Sequence, residues 1–553
     1  MRERLRVAGR ASAVALAVLG CALAGFCQPA KDTPIRVTAG AGAPGRELVH
    51  FWSKVVGAGR ANEGLRATWQ EELKMAADNG GFRYVRFHGL FHDDMFVYRE
   101  DEQGRPIYNF QYIDDLFDRM LATGVRPFVE LGFSPEEMAT KKATVMWWKG
   151  NGSPPKDYNR WAELIRKSVE HWEARYGAEE VRRWYFEVWN EPNLDDAFWV
   201  GTQAQYFALY KITAETIKKV DPALKVGGPT TSNFNLDEDA LKAAQKSGKP
   251  FDPLDIPWKP VWLDDFFQYA KANQLPVDFV STHPYPQYFD IPAGTPGAGH
   301  YRRGIEATHN DLVTLRKMID ASPYPKAGIE LTEWSSTPSP LDHTHDSLAA
   351  AAFIAKSNLE SVGLVDSLSY WVFTDVFEEN RKTDSVFHGS FGMINYQEIV
   401  KPSFHAYRMM NQLGDRILAA TEGAMVTRSE ATGKVTALAY NYPTEERIVI
   451  PETATVEEAD AVVATGTARK LELHVTGLPE GAAFEIETLD KSHGNAVAAW
   501  EAMGRPEPPT REQALALRAA AWATKKEIVR AVGGKLDVER PIDAWSLVLV
   551  REL

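Results

Sequence analysis

Cysteine is nearly absent: Cys21 and Cys27 are the only two in 553 residues. Both fall in or beside an apolar N-terminal stretch, so the rest of the chain has no disulfide and no cysteine-ligated metal site, and its stability must come from packing. Basic runs are also missing beyond Arg2, Arg4, Arg6 and Arg10. With a formal net charge of −13, this excludes a nucleic-acid backbone as partner, because phosphate binding needs clustered Lys and Arg. The glycine-rich turn of a dinucleotide fold is missing as well. Neither "VGAGRANEG" at 56–64 nor "GGFRYVRFHG" at 80–89 has the strand, G-x-G-x-x-G and helix in order, so a nicotinamide cofactor is discarded. There are no low-complexity tracts and no repeats.

What is present is enough apolar material, 44% hydrophobic and 11% aromatic, for a large core divided among two or three domains. Residues 1–30 read as a secretory signal peptide: arginines, then "ASAVALAVLGCALAGF" at 11–26, then small residues "ALA" at 22–24 for cleavage. The apolar run is shorter than the roughly 20 residues of a spanning helix. "VLGC" at 18–21 has Leu19 where a lipoprotein box usually has a smaller residue, so cleavage is expected rather than lipid anchoring. The protein is therefore expected to be exported, periplasmic or extracellular. Cleavage removes four arginines and Glu3, taking −13 to −16.

From residue 50 to 414 short β-branched or aromatic runs alternate with helical spacing. The strand halves are "VVGAGR" at 55–60, "YVRFHG" at 84–89, "RPFVELGF" at 126–133, "WYFEVWNE" at 184–191, "LKVGGP" at 224–229, "DFVSTHPY" at 278–285, "AGIELTEW" at 327–334 and "SLSYWVFTD" at 367–375. Between them lie patterns such as Ile113, Leu116, Phe117, Met120 and Leu121 ended by Gly124, and a run from Tyr158 to Tyr176 ended by Gly177. Eight such units predict an α/β (β/α)8 TIM barrel. From 415 to 553 the texture changes to alternating strands at 434–442, 470–478, 482–490 and 544–553, predicting an accessory antiparallel β-sandwich. A short helix from Arg511 to Ala523 is inserted behind a Thr510/Gln513 capping box. The segment 31–49, with "IRVTAG" at 35–40, is expected to add a strand to the sandwich.

Reactive groups of such barrels sit at the C-terminal ends of the strands. Strand two ends in His88, strand four in Asn190 and Glu191, strand six in His283 and Tyr285, strand seven in Glu333 and Trp334, and strand eight in Trp371 and Asp375. A lone carboxylate at such an end is ordinarily a helix cap or an ion-pair partner. Glu191 and Glu333 come from strands on facing sides of an eight-stranded barrel, however, and two facing carboxylates are the equipment of glycoside hydrolysis. Aromatic rings beside them offer surfaces for the apolar faces of sugars.

The chain resembles glycoside hydrolase family 39 and its bacterial β-xylosidases. The resemblance is carried by "VGAGRANEGLR" at 56–66, "YVRFHGLFHDDMFVYRE" at 84–100, "VRPFVELGFSPE" at 125–136, "WYFEVWNEPNLD" at 184–195, "STHPYP" at 281–286, "IELTEWSS" at 329–336, "YWVFTDVFEE" at 370–379 and "FHGSFGMIN" at 387–395. It implies a retaining enzyme with Glu191 as acid/base and Glu333 as nucleophile. Asn190 would bond the sugar 2-hydroxyl, and His283 and Tyr285 would lie near the nucleophile. Trp371 would be a stacking wall and Glu378 a polar contact to the far side of the sugar. His88 and Phe133 are expected in the pocket wall. The expected substrate is a xylo-oligosaccharide cleaved exo-fashion, with no metal or organic cofactor. "TEWSSTPSP" at 332–340 departs from the family's more frequent asparagine-containing run, which bears on the leaving group. Two alternatives stay open: the same chemistry on an arabinosyl, uronic acid or exopolysaccharide unit, and a non-catalytic carbohydrate-binding protein.

Overall fold

A computed structural model of the chain describes residues 33–553 apart from 196, 251–255, 289–300, 378, 380–384 and 445–449. The expected signal peptide and the candidate Glu378 lie outside the described residues. Eight parallel strands close into a barrel: β1 (Val55–Arg60), β2 (Tyr84–His88), β3 (Arg126–Leu131), β4 (Tyr185–Val188), β5 (Lys225–Ser232), β6 (Phe279–His283), β7 (Gly328–Trp334) and β8 (Ser367–Tyr370). Tyr370 of β8 pairs with Val56 of β1 to complete the ring. Seven lie within the stretches read as strands, and β5 runs three residues past the expected end at Pro229, to Ser232.

The outer helices follow their apolar spacing. α1 (Gln111–Ala122) buries Ile113, Leu116, Phe117 and Met120, and Gly124 just beyond it has φ +83, a conformation that suits glycine. In α2 (Tyr158–Tyr176) the Asp157 side chain accepts from the Asn159 N–H at the start, and Gly177 at φ 85 ends the helix.

Alternation along the strands decides what fills the barrel, since every second side chain points inward. At the N-terminal floor Val55, Phe128 and Phe279 pack with Tyr84 and Tyr185. The register sets Gly328 beside Phe279. Two residues further along the strands come Arg86, Glu130, Glu187 and Glu330, all buried, and two beyond those come His88 and Thr332, with His283 four residues beyond Phe279. The barrel is apolar only at its base; higher up it is ionic, with Lys54 paired to Glu330 and Arg86 to three carboxylates.

The second unit is a two-sheet sandwich. Ile35–Gly40 runs parallel to Arg469–Thr476, which pairs antiparallel with Lys535–Ile542. A seven-stranded antiparallel sheet faces it, and Val37, Leu471, Leu473 and Val538 meet Val426, Phe484, Ile486 and Val550 in one core. Thr510 and Gln513 form both bonds of the capping box before α3 (Arg511–Trp522). Four strands escaped the alternation reading: Arg416–Thr421, Ala424–Arg428, Lys525–Arg530 and Lys535–Ile542. Lys525–Arg530 is an edge strand with no buried residue, and Lys535–Ile542 is an edge strand that tolerates Pro541 for that reason. Among the described residues no helix is long and apolar enough to cross a membrane.

Candidate active site

Two local departures from regular strand geometry aim the carboxylates. After β4, Trp189 (φ 74) and Glu191 (φ 43) both take left-handed backbone conformations, uncommon for residues with a side chain and a sign that the surroundings hold the turn. The turn is held by the Glu191 N–H donating to the Thr230 carbonyl at 2.8 Å and by Trp189 Nε1 donating to the Phe198 carbonyl at 2.8 Å. In β7 the register with β8 shifts between Leu331 and Trp334, and such irregularities re-aim side chains. Thr332 and Glu333, consecutive residues, thereby both reach groups at the barrel mouth. One carboxyl oxygen of Glu191, one of Glu333 and a ring nitrogen of His283 lie within 4.8 Å of one another.

Arg86 organises the layer beneath. Fully buried, it donates Nε to Glu187 at 2.9 Å, Nη1 to Glu333 at 2.5 Å and Nη2 to Asn190 Oδ1 at 2.8 Å, with Glu130 2.9 Å from Nη2. Burial alone would disfavour its charge, but Glu130, Glu187 and Glu333 outweigh that and raise its pKa. Glu130, which burial would push up, is held below the usual carboxylate value by Arg86 and His88. His88, which burial would push down, is held above its ordinary value by Glu130, bonded to His88 Nδ1 at 2.7 Å. With its oxygen on Arg86, the Asn190 amide is fixed, and its buried Nδ2 has no partner among the described residues.

Burial pushes Glu191 up to about 7, against a smaller opposing effect of Ser232, His88 and Arg86. Repulsion from Glu333 is not among the leading causes, and Arg86 is seated on that carboxylate. His283 Nδ1 lies 2.8 Å from Glu191 Oε1, and burial pushes this imidazole down to about 4. Tyr285 donates its hydroxyl to Glu333 Oε2 at 3.1 Å and is kept protonated by burial, with the Glu333 and Glu191 charges adding to the effect.

The structure brings His88, Asn190, Glu191, His283, Tyr285, Glu333 and Trp371 to one place. Trp371 follows β8 with its ring 4.8 Å from His88 and 5.9 Å from the Arg86 guanidinium. Phe133 is fully enclosed, packed on Trp148, Trp189, Phe198 and His88, so it backs the wall without facing the mouth. Trp334 and Asp375, also at strand ends, are turned to packing: Trp334 stacks on Phe353 and Asp375 binds Lys401 at 2.7 Å. Gly57 explains the glycine in "VVGAGR". A Cβ there would lie 2.7 Å from Trp371 Cε3 and 3.0 Å from the Tyr370 carbonyl. Gly57→Ala is therefore expected to destabilise the protein by about 1–3 kcal/mol and to raise KM by displacing Trp371, read by denaturant unfolding and steady-state kinetics.

Sequence reading did not single out Arg86, Glu130, Glu187, Thr332 or Glu379. The first four were legible as inward positions of their strands, but polar residues inside a strand carry no sign of what they face. Glu379 is a half-buried residue next to the chosen Glu378, with its carboxyl turned into dry surroundings. Desolvation pushes it up to about 8, and the Glu333 and Glu191 charges add to this. Glu191, His283 and Glu333 also have the donor types that a divalent cation takes. Arg86 already supplies the positive charge there, and Glu191 is held as an acid, a poor ligand in that form.

The model for glycosyl hydrolases family 39 matches residues 35–536. A protein named β-xylosidase from Geobacillus stearothermophilus is 36% identical over 506 residues, covering 90% of this chain and 92% of its own. Another from Caldicellulosiruptor saccharolyticus is 35% identical over 480 residues, 86% of this chain and 90% of its own. The crystal structure of a monomeric β-xylosidase from Caulobacter crescentus superposes with a TM-score of 0.80 at 32% identity, covering 94% of this chain and 99% of that one. Matched along nearly its whole length, with the carboxyls of Glu191 and Glu333 together at the mouth of its barrel, the chain is a glycoside hydrolase and belongs to family 39.

Proposed function

We propose that the protein is an exo-acting, retaining β-xylosidase that releases xylose from xylo-oligosaccharides. The observation that carries retention is the carboxyl pair: oxygens of Glu191 and Glu333 lie within 4.8 Å. Retaining enzymes hold their two carboxyls about 5–5.5 Å apart, whereas inverting ones need roughly 6.5–9.5 Å to admit water. Glu333, steadied by Arg86 and Tyr285, attacks the anomeric carbon as protonated Glu191 gives its proton to the departing glycosidic oxygen. The C–O bond breaks and a xylosyl ester forms on Glu333. Water then attacks the same carbon, its proton passes to ionised Glu191, and the ester bond breaks. The free Nδ2 of Asn190 is a donor for a ring hydroxyl, a contact that can strengthen in the transition state.

Xylose is favoured over a uronate by the two arginines at the mouth among the described residues. Arg86 is bound to carboxylates and Asn190, and Arg60 is engaged by Glu63 and Asp94, so neither offers a uronate an open charge. The names of the relatives point the same way. A panel of aryl β-xyloside, α-L-arabinoside and uronide substrates, with the first product anomer followed by NMR, tests the reading; an inverted first product or a preferred uronide sinks it. The N-terminal arginines and apolar run support export, tested by N-terminal sequencing of the mature protein.

Because Glu191 must carry its proton, kcat/KM is expected to fall as pH rises through about 7. Glu191→Gln should abolish that limb and cost about 10²–10⁴-fold on substrates with poor leaving groups. The loss should be far smaller on a dinitrophenyl xyloside, whose leaving group needs no proton.

A further inference from the structure

The contacts behind Glu191 form a chain whose hydrogen-bond directions can be worked out from one end. Glu187 is ion-paired to Arg86 at 2.9 Å, so its carboxylate only accepts. Thr332 Oγ1 lies 2.7 Å from Glu187 Oε1 and donates its single proton there. Thr332 Oγ1 is also 3.1 Å from His283 Nε2. Having no second proton to give, the hydroxyl accepts, so Nε2 carries the hydrogen. A neutral imidazole with hydrogen on Nε2 has a bare lone pair on Nδ1. That nitrogen faces Glu191 Oε1 at 2.8 Å, with Glu333 Oε2 at 3.6 Å. Two acceptors cannot share a hydrogen bond. With the imidazole neutral, as burial favours, the proton between them belongs to Glu191.

We propose that Thr332 and Glu187 are positioning residues that lock His283 in the Nε2–H tautomer, so that the imidazole accepts from the protonated form of Glu191 and offers the ionised form no donor. This deepens the retaining-hydrolase reading and rests on it. Glu191 is thereby held as an acid before the first step. Once its proton has gone to the leaving group, no imidazole N–H satisfies the carboxylate, and it stays a strong base toward the attacking water. The burial that keeps His283 neutral acts in the same direction.

Neutron diffraction of the unaltered protein in deuterated buffer at pH 6 reads the protons directly. Deuterium on His283 Nε2 and on Glu191, with Nδ1 bare, is the expected result; deuterium on Nδ1 overturns the proposal. The functional arm compares Thr332→Val with Thr332→Ser. Valine removes the acceptor and frees His283 to take the Nδ1–H form, which stabilises ionised Glu191. The alkaline limb of kcat/KM on a methoxyphenyl xyloside should move down by about one pH unit. At pH 7 the loss should be about fivefold larger on that substrate than on a dinitrophenyl xyloside, approaching tenfold at higher pH. Thr332→Ser should restore both. An unmoved limb in folded Thr332→Val overturns the proposal. The other groups that face the pair, Arg86 and His88 from β2, Glu130 from β3, Tyr285 beyond β6, Glu333 from β7 and Glu379 beyond β8, are the same in both variants. Were the unaltered protein to turn over no glycoside, the hydrolase reading would fail, while the neutron arm would still decide the tautomer.

Discussion

Glu333→Ala is expected to lower kcat/KM on an aryl β-xyloside by about 10⁴-fold or more, the scale on which removal of a covalent nucleophile acts. The size follows from its surroundings. Arg86 and Tyr285 hold both of its carboxyl oxygens, and the neighbouring carboxylates Glu130 and Glu187 are themselves tied to Arg86. The cavity left by alanine admits a small anion. Azide should therefore restore part of the turnover, and the product identifies the residue: a single displacement in Glu333→Ala yields the α-glycosyl azide. A Glu191 variant, with the nucleophile intact, passes through the ester and yields the β-azide. Exchange of these two outcomes would reverse the assigned roles, and wild-type rates in Glu333→Ala would remove the mechanism altogether.

Arg86→Met should be the most damaging change to the fold among the mouth residues. It strips the cation from Glu130, Glu187 and Glu333, all buried, and an ion pair broken from one side in a buried site costs about 3–5 kcal/mol. The pH dependence has a definite sign. In the unaltered protein the folded pKa of Glu130 is depressed, so its stabilisation is present above the unfolded carboxylate pKa of about 4.3 and is lost as pH falls through the folded value. Without Arg86, burial is left with less to oppose it and the folded pKa rises. The variant then loses stability as pH rises through that value. The gap between the two proteins, measured by denaturant unfolding, should be widest near neutrality and narrow toward pH 4. A constant gap would show that Arg86 acts by packing alone.

Much of the architecture was legible because its cause is local. Strand stretches are apolar runs of the right length, the turns after α1 and α2 are glycines with positive φ, and the capping box of α3 lies within four residues. The sandwich was harder to read where strands lie at edges. Lys525–Arg530 faces water except at Val529 and carries no alternation, so it declares itself only through pairing with Ala483–Leu489. Glu191 and Glu333 could be nominated because each is a polar residue at the end of a segment otherwise built for burial, on strands that face each other across the barrel.

By itself the sequence determined that eight strand and helix units would make a barrel and that two glutamates would stand at its mouth; both follow from periodicities of two and 3.6 residues. Only the tertiary structure decided how those glutamates differ. Burial raises Glu191, Arg86 is seated on Glu333, and His283 receives its tautomer from Thr332 and Glu187. These effects come from groups on different strands, separated by up to 247 positions for Arg86 and Glu333. Electrostatic interactions act through space and depend on burial, so the difference between the two carboxyls exists only once the barrel has closed.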